Sequence, residues 1–416
     1  MKKQVLTVVA TAMTLWATAQ TTVKDTVSLG AGGANQVWYS LNNDEQAVQA
    51  KENWDLAFDT KGVNTGIRIN SGAGVELWGY PKGKVSAWST VDTTGLSTWQ
   101  KRWDSDTSWN YCAMGNYANP NDPFDLDWGR YDLNTHHVLG DSIYIIKLTD
   151  GSYRKLIIES LISAKYTIKY ANLDGSNEKT ATVDKTGFNA AAFGYYSIVN
   201  NKTVQREPTH GDWELLFTKY TAFVPTPYPV TGVLHARGVK AVKAINIPNA
   251  NAYNNYYAHT FSHEINTLGY DWKKYTGTGY DIADSTVYFL QKEDGEIWKL
   301  VFSGYGSANT SIMFSKTKLA AVTVKNKVQE TIATVAVSPN PSFGNDVTVV
   351  YSFAKDEKLA NISVYSLTGK LVISEKLDSS KGLHQYLIPA SKLVSGTYVV
   401  VVSTADGRAT QKLIVR

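Results

Sequence analysis

The strongest constraint on the fold of this chain is an internal duplication. The segment Trp128-Gly-Arg-Tyr131 returns 144 residues later as Trp272-Lys-Lys-Tyr275. Further upstream, Trp54-Asp-Leu-Ala-Phe58 matches Trp213-Glu-Leu-Leu-Phe217 at an offset of 159 residues, so the intervening loops differ in length. The 144-residue offset also relates Ile143-Tyr144 to Val287-Tyr288, Asp150-Gly151 to Asp294-Gly295, and Lys155-Leu-Ile157 to Lys299-Leu-Val301. The body of the chain therefore consists of two related units.

Each unit has the pattern of antiparallel β-strands. A predicted strand over 142–148 leads into the turn pair Asp150-Gly151, and a returning strand over 153–159 completes a hairpin. The second unit repeats this pattern over 286–290 and 296–302. Tyr166-Thr-Ile-Lys-Tyr170 alternates strictly and forms a further strand with its tyrosines on one face. We predict an all-β fold with sparse helix, for which 44–51 is the best candidate.

The last 80 or so residues have a second strand-rich pattern. Pro339 and Pro341 interrupt regular structure, and Thr368-Gly369 is a turn pair between alternating stretches. Such a pattern predicts a small β-sandwich. The order of the motif pieces at 335–341, 362–370, 395–400 and 412–416 resembles the type A sorting domain of the Bacteroidota type IX secretion system. That resemblance implies the secretion machinery as a partner and a protein that is secreted or anchored on the outer-membrane surface. It assigns Pro339, Pro341, Gly369, Gly396, Tyr398 and Lys412 to the export signal.

The beginning of the sequence has the pattern of a secretory leader. Met1-Lys-Lys3 is a positive n-region, and 5–16 is an apolar stretch too short to span a bilayer. Ala17 and Ala19 form an A-x-A cleavage site. We therefore expect a signal peptide over 1–19, two β units over 20–185 and 186–320, a linker over 321–333 and a sorting domain over 334–416. The two units are either two domains or two halves of one, and we expect no transmembrane segment.

Composition excludes several classes of function. The formal net charge of +4 falls to about +2 without the two leader lysines, which gives no support for nucleic-acid binding. The single cysteine, Cys112, cannot form an internal disulfide, and we expect it to be a small buried residue. The 12 Trp and 25 Tyr residues are typical of an extracellular β protein with broad aromatic surfaces.

The first unit resembles the HmuY-like haem-binding family. The resemblance covers roughly 35–180 and rests on Asn53-Trp-Asp-Leu-Ala-Phe58, Asn64-Thr-Gly66, Trp128-Gly-Arg-Tyr131, the strand and hairpin over 143–151, and Tyr166-Thr-Ile-Lys-Tyr170. It implies a surface protein that captures haem b with two axial side chains and passes it to an outer-membrane receptor, without catalysis.

Haem iron is held by His or Met side chains on opposite faces of an apolar slot. Candidate ligands of these types lie in the first unit, which resembles the family more closely than the second unit does. They are His136, His137 and Met114, the last of which lies in the aromatic segment Trp109-Asn-Tyr-Cys-Ala-Met114. No ligand motif of the family aligns clearly with these positions. In the alternative interpretation, the two histidines are exposed loop residues and Met114 fills the core.

Two other functions compete with haem capture. Trp78, Trp103 and Trp109 would equally suit a glycan-binding or adhesion module, since sugar rings stack on exposed Trp and Tyr side chains. A polysaccharide hydrolase needs two facing carboxylates, for which Asp104, Asp106, Asp125 and Asp127 are available. The sequence has no Gly-x-Ser-x-Gly elbow and no Walker loop, and His259 and His263 lack the Glu that completes a zinc-hydrolase motif. We predict neither catalytic residues nor a metal site.

Overall fold

The computed structural model describes residues 21–62, 64–188, 190–319, 333–353, 355–366, 370–404 and 408–416. These residues form two compact units, divided between 321 and 322. The fold is nearly all β, as predicted, and every paired strand is antiparallel to its neighbours. The predicted leader, with Ala17 and Ala19, lies outside the described residues, as do Gly369 and most of the linker. No helix among the described residues is long and apolar enough to cross a membrane.

The described residues of the first half of the body form thirteen strands. They are β1 (Thr22–Ser28), β2 (Asn35–Ser40), β3 (Asp44–Ala50), β4 (Leu56–Asp59), β5 (Ile67–Ile69), β6 (Glu76–Gly79), β7 (Lys101–Arg102), β8 (Gly129–Tyr131), β9 (Val138–Gly140), β10 (Tyr144–Lys147), β11 (Tyr153–Ile162), β12 (Lys165–Ala171) and β13 (Lys179–Asp184).

Ten strands lie in the described part of the second half of the body. They are β14 (Phe193–Ser197), β15 (Lys202–Val204), β16 (Leu215–Phe223), β17 (Pro227–His235), β18 (Lys240–Ala244), β19 (Lys273–Tyr275), β20 (Tyr280–Ile282), β21 (Val287–Gln291), β22 (Ile297–Gly306) and β23 (Ser311–Leu319). Short 3-10 helices occupy Ala31–Gly33, Ser71–Ala73, Val85–Thr90, Leu96–Thr98, Lys185–Phe188 and Tyr256–Ala258.

The predicted hairpins are confirmed in both repeats. Strand β10 pairs with β11 around the Asp150-Gly151 turn, and β21 pairs with β22 around Asp294-Gly295. One sheet has the order β13-β12-β11-β10-β6-β7, and its counterpart has the order β1-β23-β22-β21-β18. Tyr166, Ile168 and Tyr170 of β12 are buried on one face, as their alternation predicts. Trp128 and Trp272, which begin the matching segments, are both fully buried.

The predicted helix over 44–51 is wrong, because these residues form strand β3. β3 pairs with β2 after a turn at 41–43. The polar and alanine-rich sequence of β3 suits a helix locally, but its backbone hydrogen bonds with β2 override that local preference. Its side chains are mostly exposed, which is typical of an edge strand.

The two repeats exchange their hairpins. Hairpin β2–β3 lies beside β16 of the second repeat, in the order β17-β16-β2-β3. Hairpin β14–β15 lies beside β4 of the first repeat, in the order β15-β14-β4-β5. Because Tyr39 pairs with Leu215 and Tyr196 pairs with Leu56, the two hairpins are equivalent at an offset of 157 residues. The repeats are therefore interleaved within one compact unit.

The C-terminal unit is a small two-sheet structure, as predicted. It contains β24 (Ala333–Ser338), β25 (Val347–Phe353), β26 (Ala360–Ser366), β27 (Leu371–Lys376), β28 (Gly382–Ile388), β29 (Gly396–Thr404) and β30 (Arg408–Val415), with a 3-10 turn at Ala390–Lys392. The sheet orders are β24-β25-β28 and β27-β26-β29-β30. Buried residues of both sheets, such as Val349 and Val400, share one hydrophobic core.

Candidate functional site

A cleft in the described body lies between the two repeats. Equivalent positions from both repeats line it: Trp54 with Trp213, and Ala57 with Leu216. Within the cleft, the volume accessible to the centre of a water molecule is about 80 Å³. Pockets at the interface of two related units are common ligand sites in proteins.

Aromatic side chains form most of the cleft wall. Trp54 meets Tyr195 edge to face at a ring distance of 5.1 Å, and Trp109 meets Phe193 at 5.9 Å. Trp54 and Trp213 are buried, whereas Trp109 is half-buried. Trp109 reaches the cleft from the loop between β7 and β8, and its indole Nε1 donates to the carbonyl of His235 at 2.9 Å. The wall is thus built from both repeats and one long loop.

Arg206 holds three aromatic residues of the wall in place. Its guanidinium carbon lies 5.2–5.5 Å from the ring centres of Trp38, Trp54 and Tyr195. The same group donates hydrogen bonds to the side-chain oxygens of Asn53 and Gln36. Burial lowers the pKa of Arg206 to about 10, which leaves it protonated at neutral pH.

Two arginines, Arg68 and Arg237, line the cleft itself, and both have internal anion or carbonyl partners. Arg68 donates to the carbonyls of Ser105 and Ser108 at 3.0 and 3.1 Å. Its guanidinium lies 5.0 Å from the ring centre of Trp109. Arg237 donates from both terminal nitrogens to the carboxylate of Asp59, at 2.8 and 3.3 Å.

The equivalent tryptophans differ in their hydrogen bonding. Trp54 Nε1 donates to Gln36 Oε1 at 3.3 Å. At the 157-residue offset, the second repeat has Phe193 in place of Gln36, and phenylalanine offers no acceptor. Trp213 Nε1 is accordingly buried without a hydrogen-bond partner among the described residues. A buried unpaired N–H is costly, so this asymmetry marks the Trp213 side of the cleft as a place for an external acceptor.

Two more polar atoms of cleft residues share this property. Tyr220 Oη and Arg237 Nε are buried and have no hydrogen-bond partner within the described part of the chain. By contrast, Tyr144 and Tyr288 have unpaired hydroxyls at equivalent positions of the two repeats. That second pair belongs to the shared scaffold, whereas the unpaired donors of the cleft are specific to the second repeat.

Glu207 adds a titratable group to the cleft. Its carboxylate accepts the backbone N–H of Ala192 at 2.9 Å and the hydroxyl of Tyr195 at 2.7 Å. Burial of the carboxyl group raises the pKa of Glu207 to about 7, although these hydrogen bonds oppose the rise. The cleft therefore combines aromatic surfaces, unpaired donors and a carboxyl group that titrates near neutrality.

Of the aromatic residues considered for glycan binding, Trp109 lines this cleft. Trp78 is buried and stacks on Tyr153 in the sheet of the first repeat. Trp103 is half-buried and meets Phe223 edge to face.

The four candidate carboxylates of a hydrolase have structural partners. Asp104 is buried and accepts the N–H groups of Ile69 and Ala113 at 3.1 and 2.8 Å. Burial raises the pKa of Asp104, and the neighbouring Arg68 opposes the rise. Asp106 accepts the backbone N–H of Phe223. Asp125 accepts the backbone N–H groups of Asn119 and Asp127. Asp127 accepts the backbone N–H of Gly115 and an N–H of the Arg102 guanidinium.

The three candidate haem ligands lie in different environments. Met114 is fully buried in the core of the first repeat, where its backbone pairs with Ile67. His136 is exposed in the turn between β8 and β9, and its Nδ1 lies 2.8 Å from the hydroxyl of Tyr131. His137 is half-buried in the same turn. Met114 would have to leave the core to coordinate the same haem iron as His136. In their present positions, these two side chains do not form an axial pair.

Other possible metal or nucleophile positions are accounted for by structure. His259 lies in a loop after a 3-10 turn, and its Nε2 lies 2.8 Å from the hydroxyl of Tyr253. No group of three or more His, Cys, Asp or Glu side chains able to hold a metal occurs in the ranges that the structure describes. Cys112 is buried, and desolvation raises the pKa of its thiol to about 12.

The sequence patterns gave no indication of Tyr220, Glu207 or Arg237 as site residues. The Trp213 match to Trp54 was visible, but its significance depends on the exchanged hairpins. Only the pairing of β14 with β4 places Phe193 where its equivalent, Gln36, supplies an acceptor in the first repeat.

The export-signal residues that the structure describes lie in the C-terminal unit. Pro339 and Pro341 flank Asn340, whose side chain bonds the terminal strand: Nδ2 donates to the Lys412 carbonyl at 2.7 Å, and Oδ1 accepts the Ile414 N–H at 2.9 Å. Tyr398 is buried, and its hydroxyl donates to the carbonyl of Val394 at 2.8 Å. Gly396 begins β29.

Comparisons with known proteins agree with this part of the structure. Residues 336–416 match the family described as the secretion system C-terminal sorting domain. Among solved structures, the chain is similar to dimeric latent PorU from Porphyromonas gingivalis, with 11% identity over 84% of this chain and a TM-score of 0.18. It spans 31% of that chain, and so low a score supports no conclusion about the body. No curated protein matches the sequence. The C-terminal unit thus marks the chain as a type IX secretion substrate that is exported and then secreted or attached to the cell surface.

Proposed function

We propose that this exported protein binds a sugar ring in the cleft between its repeats and performs no chemistry on it. The observation that carries the proposal is the set of buried, unpaired donors on an aromatic wall: Trp213 Nε1, Arg237 Nε and Tyr220 Oη. Sugar hydroxyls are acceptors for such donors, and the apolar face of a sugar ring packs on indole and phenol rings. The same ligand satisfies both features.

The size of the cleft supports a small ligand. The volume accessible to the centre of a water molecule is about 80 Å³. A ligand with one hydroxylated ring suits a cleft of this size. Displacing ordered water by hydroxyl groups that reproduce its hydrogen bonds retains the polar contacts and adds apolar burial.

Binding can be tested with a glycan array followed by titration monitored through tryptophan fluorescence. We expect a saturable signal for a defined sugar. Trp213→Phe removes the unpaired N–H and should weaken binding roughly five- to tenfold, the worth of one hydrogen bond. Trp78→Phe, a change in another sheet, is the matched control and should leave affinity unchanged. Absence of binding on the array, or equal affinity for Trp213→Phe and wild type, would contradict the proposal.

Haem capture stays a prediction. A haemin titration decides it, because bis-axial ligation gives a sharp Soret band that His136→Ala, His137→Ala or Met114→Leu would alter.

A further inference from the structure

A second cavity lies beside the cleft and shares a wall with it. Trp213 and Arg237 line both spaces. The second cavity is also lined by His210, Glu214, Lys292 and Glu293. The volume accessible to the centre of a water molecule is about 210 Å³. Charged side chains make up a larger share of its lining than of the lining of the cleft. A ligand held against Trp213 in the cleft lies next to this second space.

The second cavity has its own unpaired polar atom. His210 Nδ1 is buried and has no hydrogen-bond partner among the residues that the structure describes. Its other nitrogen, Nε2, lies 3.3 Å from the carboxylate of Glu293. Burial lowers the pKa of His210, which favours the neutral ring at pH 7. When Nε2–H faces the carboxylate, Nδ1 of the neutral ring is an acceptor.

An acceptor at His210 and donors at Trp213 and Arg237 together specify hydroxyl groups. A hydroxyl both donates and accepts, so one ligand class satisfies all three atoms. Charge adds a second constraint. Glu214, Glu293 and Asp294 supply three carboxylates against the two cations Lys292 and Arg237. This excess of negative charge disfavours an acidic ligand, such as a uronic acid.

The first repeat has different side chains at the positions equivalent to those that line the second cavity. At the 144-residue offset, Lys292 and Glu293 correspond to Leu148 and Thr149. The pairing of β4 with β5 and of β16 with β17 makes Arg237 equivalent to Ser71. The polar groups around Trp213 are therefore a feature of the second repeat and are not required by the shared fold.

We infer that the second cavity is a subsite for a neutral sugar residue, so that the ligand is a neutral oligosaccharide with adjacent residues on either side of Trp213 and Arg237. This inference rests on the proposed function, because it extends the sugar site in the cleft. The shared wall fixes the order of the two subsites. Binding strength should then increase with chain length from one residue to two.

Isothermal titration of the exported chain with mono-, di- and trisaccharides of the glucose, mannose and xylose series tests the inference. In the series that binds, we expect the disaccharide to bind at least tenfold more tightly than the monosaccharide. His210→Ala and Glu293→Ala should reduce this gain below threefold while leaving monosaccharide affinity within twofold. Glu293 is more than half exposed, so its variant should fold even where His210→Ala does not.

Glu264→Ala is the matched control, because Glu264 is exposed and lines neither space. It should retain the full gain with chain length. Equal affinities for monosaccharide and disaccharide, or a gain that survives Glu293→Ala, would overturn the second subsite and leave the first intact. Failure of every sugar to bind would overturn both proposals.

Discussion

The carboxylate of Asp55 accepts the backbone N–H of Ile198, with 2.7 Å between Oδ2 and the nitrogen. The same relationship occurs in the other direction. Glu214, which is equivalent to Asp55, accepts the N–H of Leu41, which is equivalent to Ile198, also at 2.7 Å. Each repeat therefore uses its acidic residue to hold the hairpin of the other. Both acidic residues are buried, so these bonds are protected from water.

Asp55→Ala should destabilise the body by about 2–4 kcal/mol, because it leaves buried donors unpaired. The affected groups are the N–H groups of Ile198 and Val199 and the hydroxyl of Ser197. Urea unfolding measures the change. Glu52→Ala, at an exposed neighbour, should stay within about 0.5 kcal/mol of wild type. Similar losses for the two variants would show that the exchanged hairpins do not depend on this carboxylate.

The first repeat should not fold by itself. A fragment of residues 21–185 contains β2 and β4 but lacks β16 and β14, their partners in the neighbouring repeat. We expect residues 21–319 to give a cooperative thermal transition with strong near-ultraviolet circular dichroism. The 21–185 fragment should give neither signal. A cooperative transition in the short fragment would mean that the hairpins also pair within their own repeat.

Glu207 should make stability depend on pH. Its folded-state pKa of about 7 lies above the ordinary value of 4.5, so its contribution to stability is complete below about pH 4.5 and is lost as pH rises through about 7. Relative to Glu207→Gln, the wild type should lose up to about 3 kcal/mol of unfolding free energy across this interval. Urea unfolding at a series of pH values measures the difference. Parallel pH profiles for the two proteins would assign the pH dependence to other groups.

Removal of the sorting domain should change location without unfolding the body. The body and the C-terminal unit have separate cores, so a chain that ends at Thr334 should retain the thermal transition of the body. It should accumulate in the periplasm, where surface labelling does not reach it. The full chain in the same strain is the control. Surface-labelled truncated protein would contradict the export role of the tail.

Local patterns in the sequence were sufficient for parts of the fold. The Asp150-Gly151 and Asp294-Gly295 turns join adjacent strands, so their hairpins follow from short-range rules. The local sequence of β3 favours a helix, and only its pairing with β2 makes the extended conformation more favourable. The pairings of β2 with β16 and of β4 with β14 join residues far apart in the chain, and no local signal specifies them.

The candidate site was less accessible to prediction for the same reason. Trp109 was selected from its residue type and does line the cleft, whereas Trp78 was selected on the same ground and is buried elsewhere. The importance of Trp213 lies in a missing acceptor, and that becomes visible only when strand pairing identifies Phe193 as the equivalent of Gln36. Glu207 and Arg237 have no motif around them, and their roles come from burial and from the neighbours that folding supplies.

Strand β1 completes its sheet by pairing with β23, which ends the body at Leu319. The earliest strand of the body must therefore wait for the latest one during synthesis. Contacts of such long sequence separation form slowly, since the whole intervening chain has to be ordered first. While β23 is still inside a translocation channel, β1 cannot pair with it and this sheet stays incomplete. The body therefore completes its folding only after its final strand has crossed.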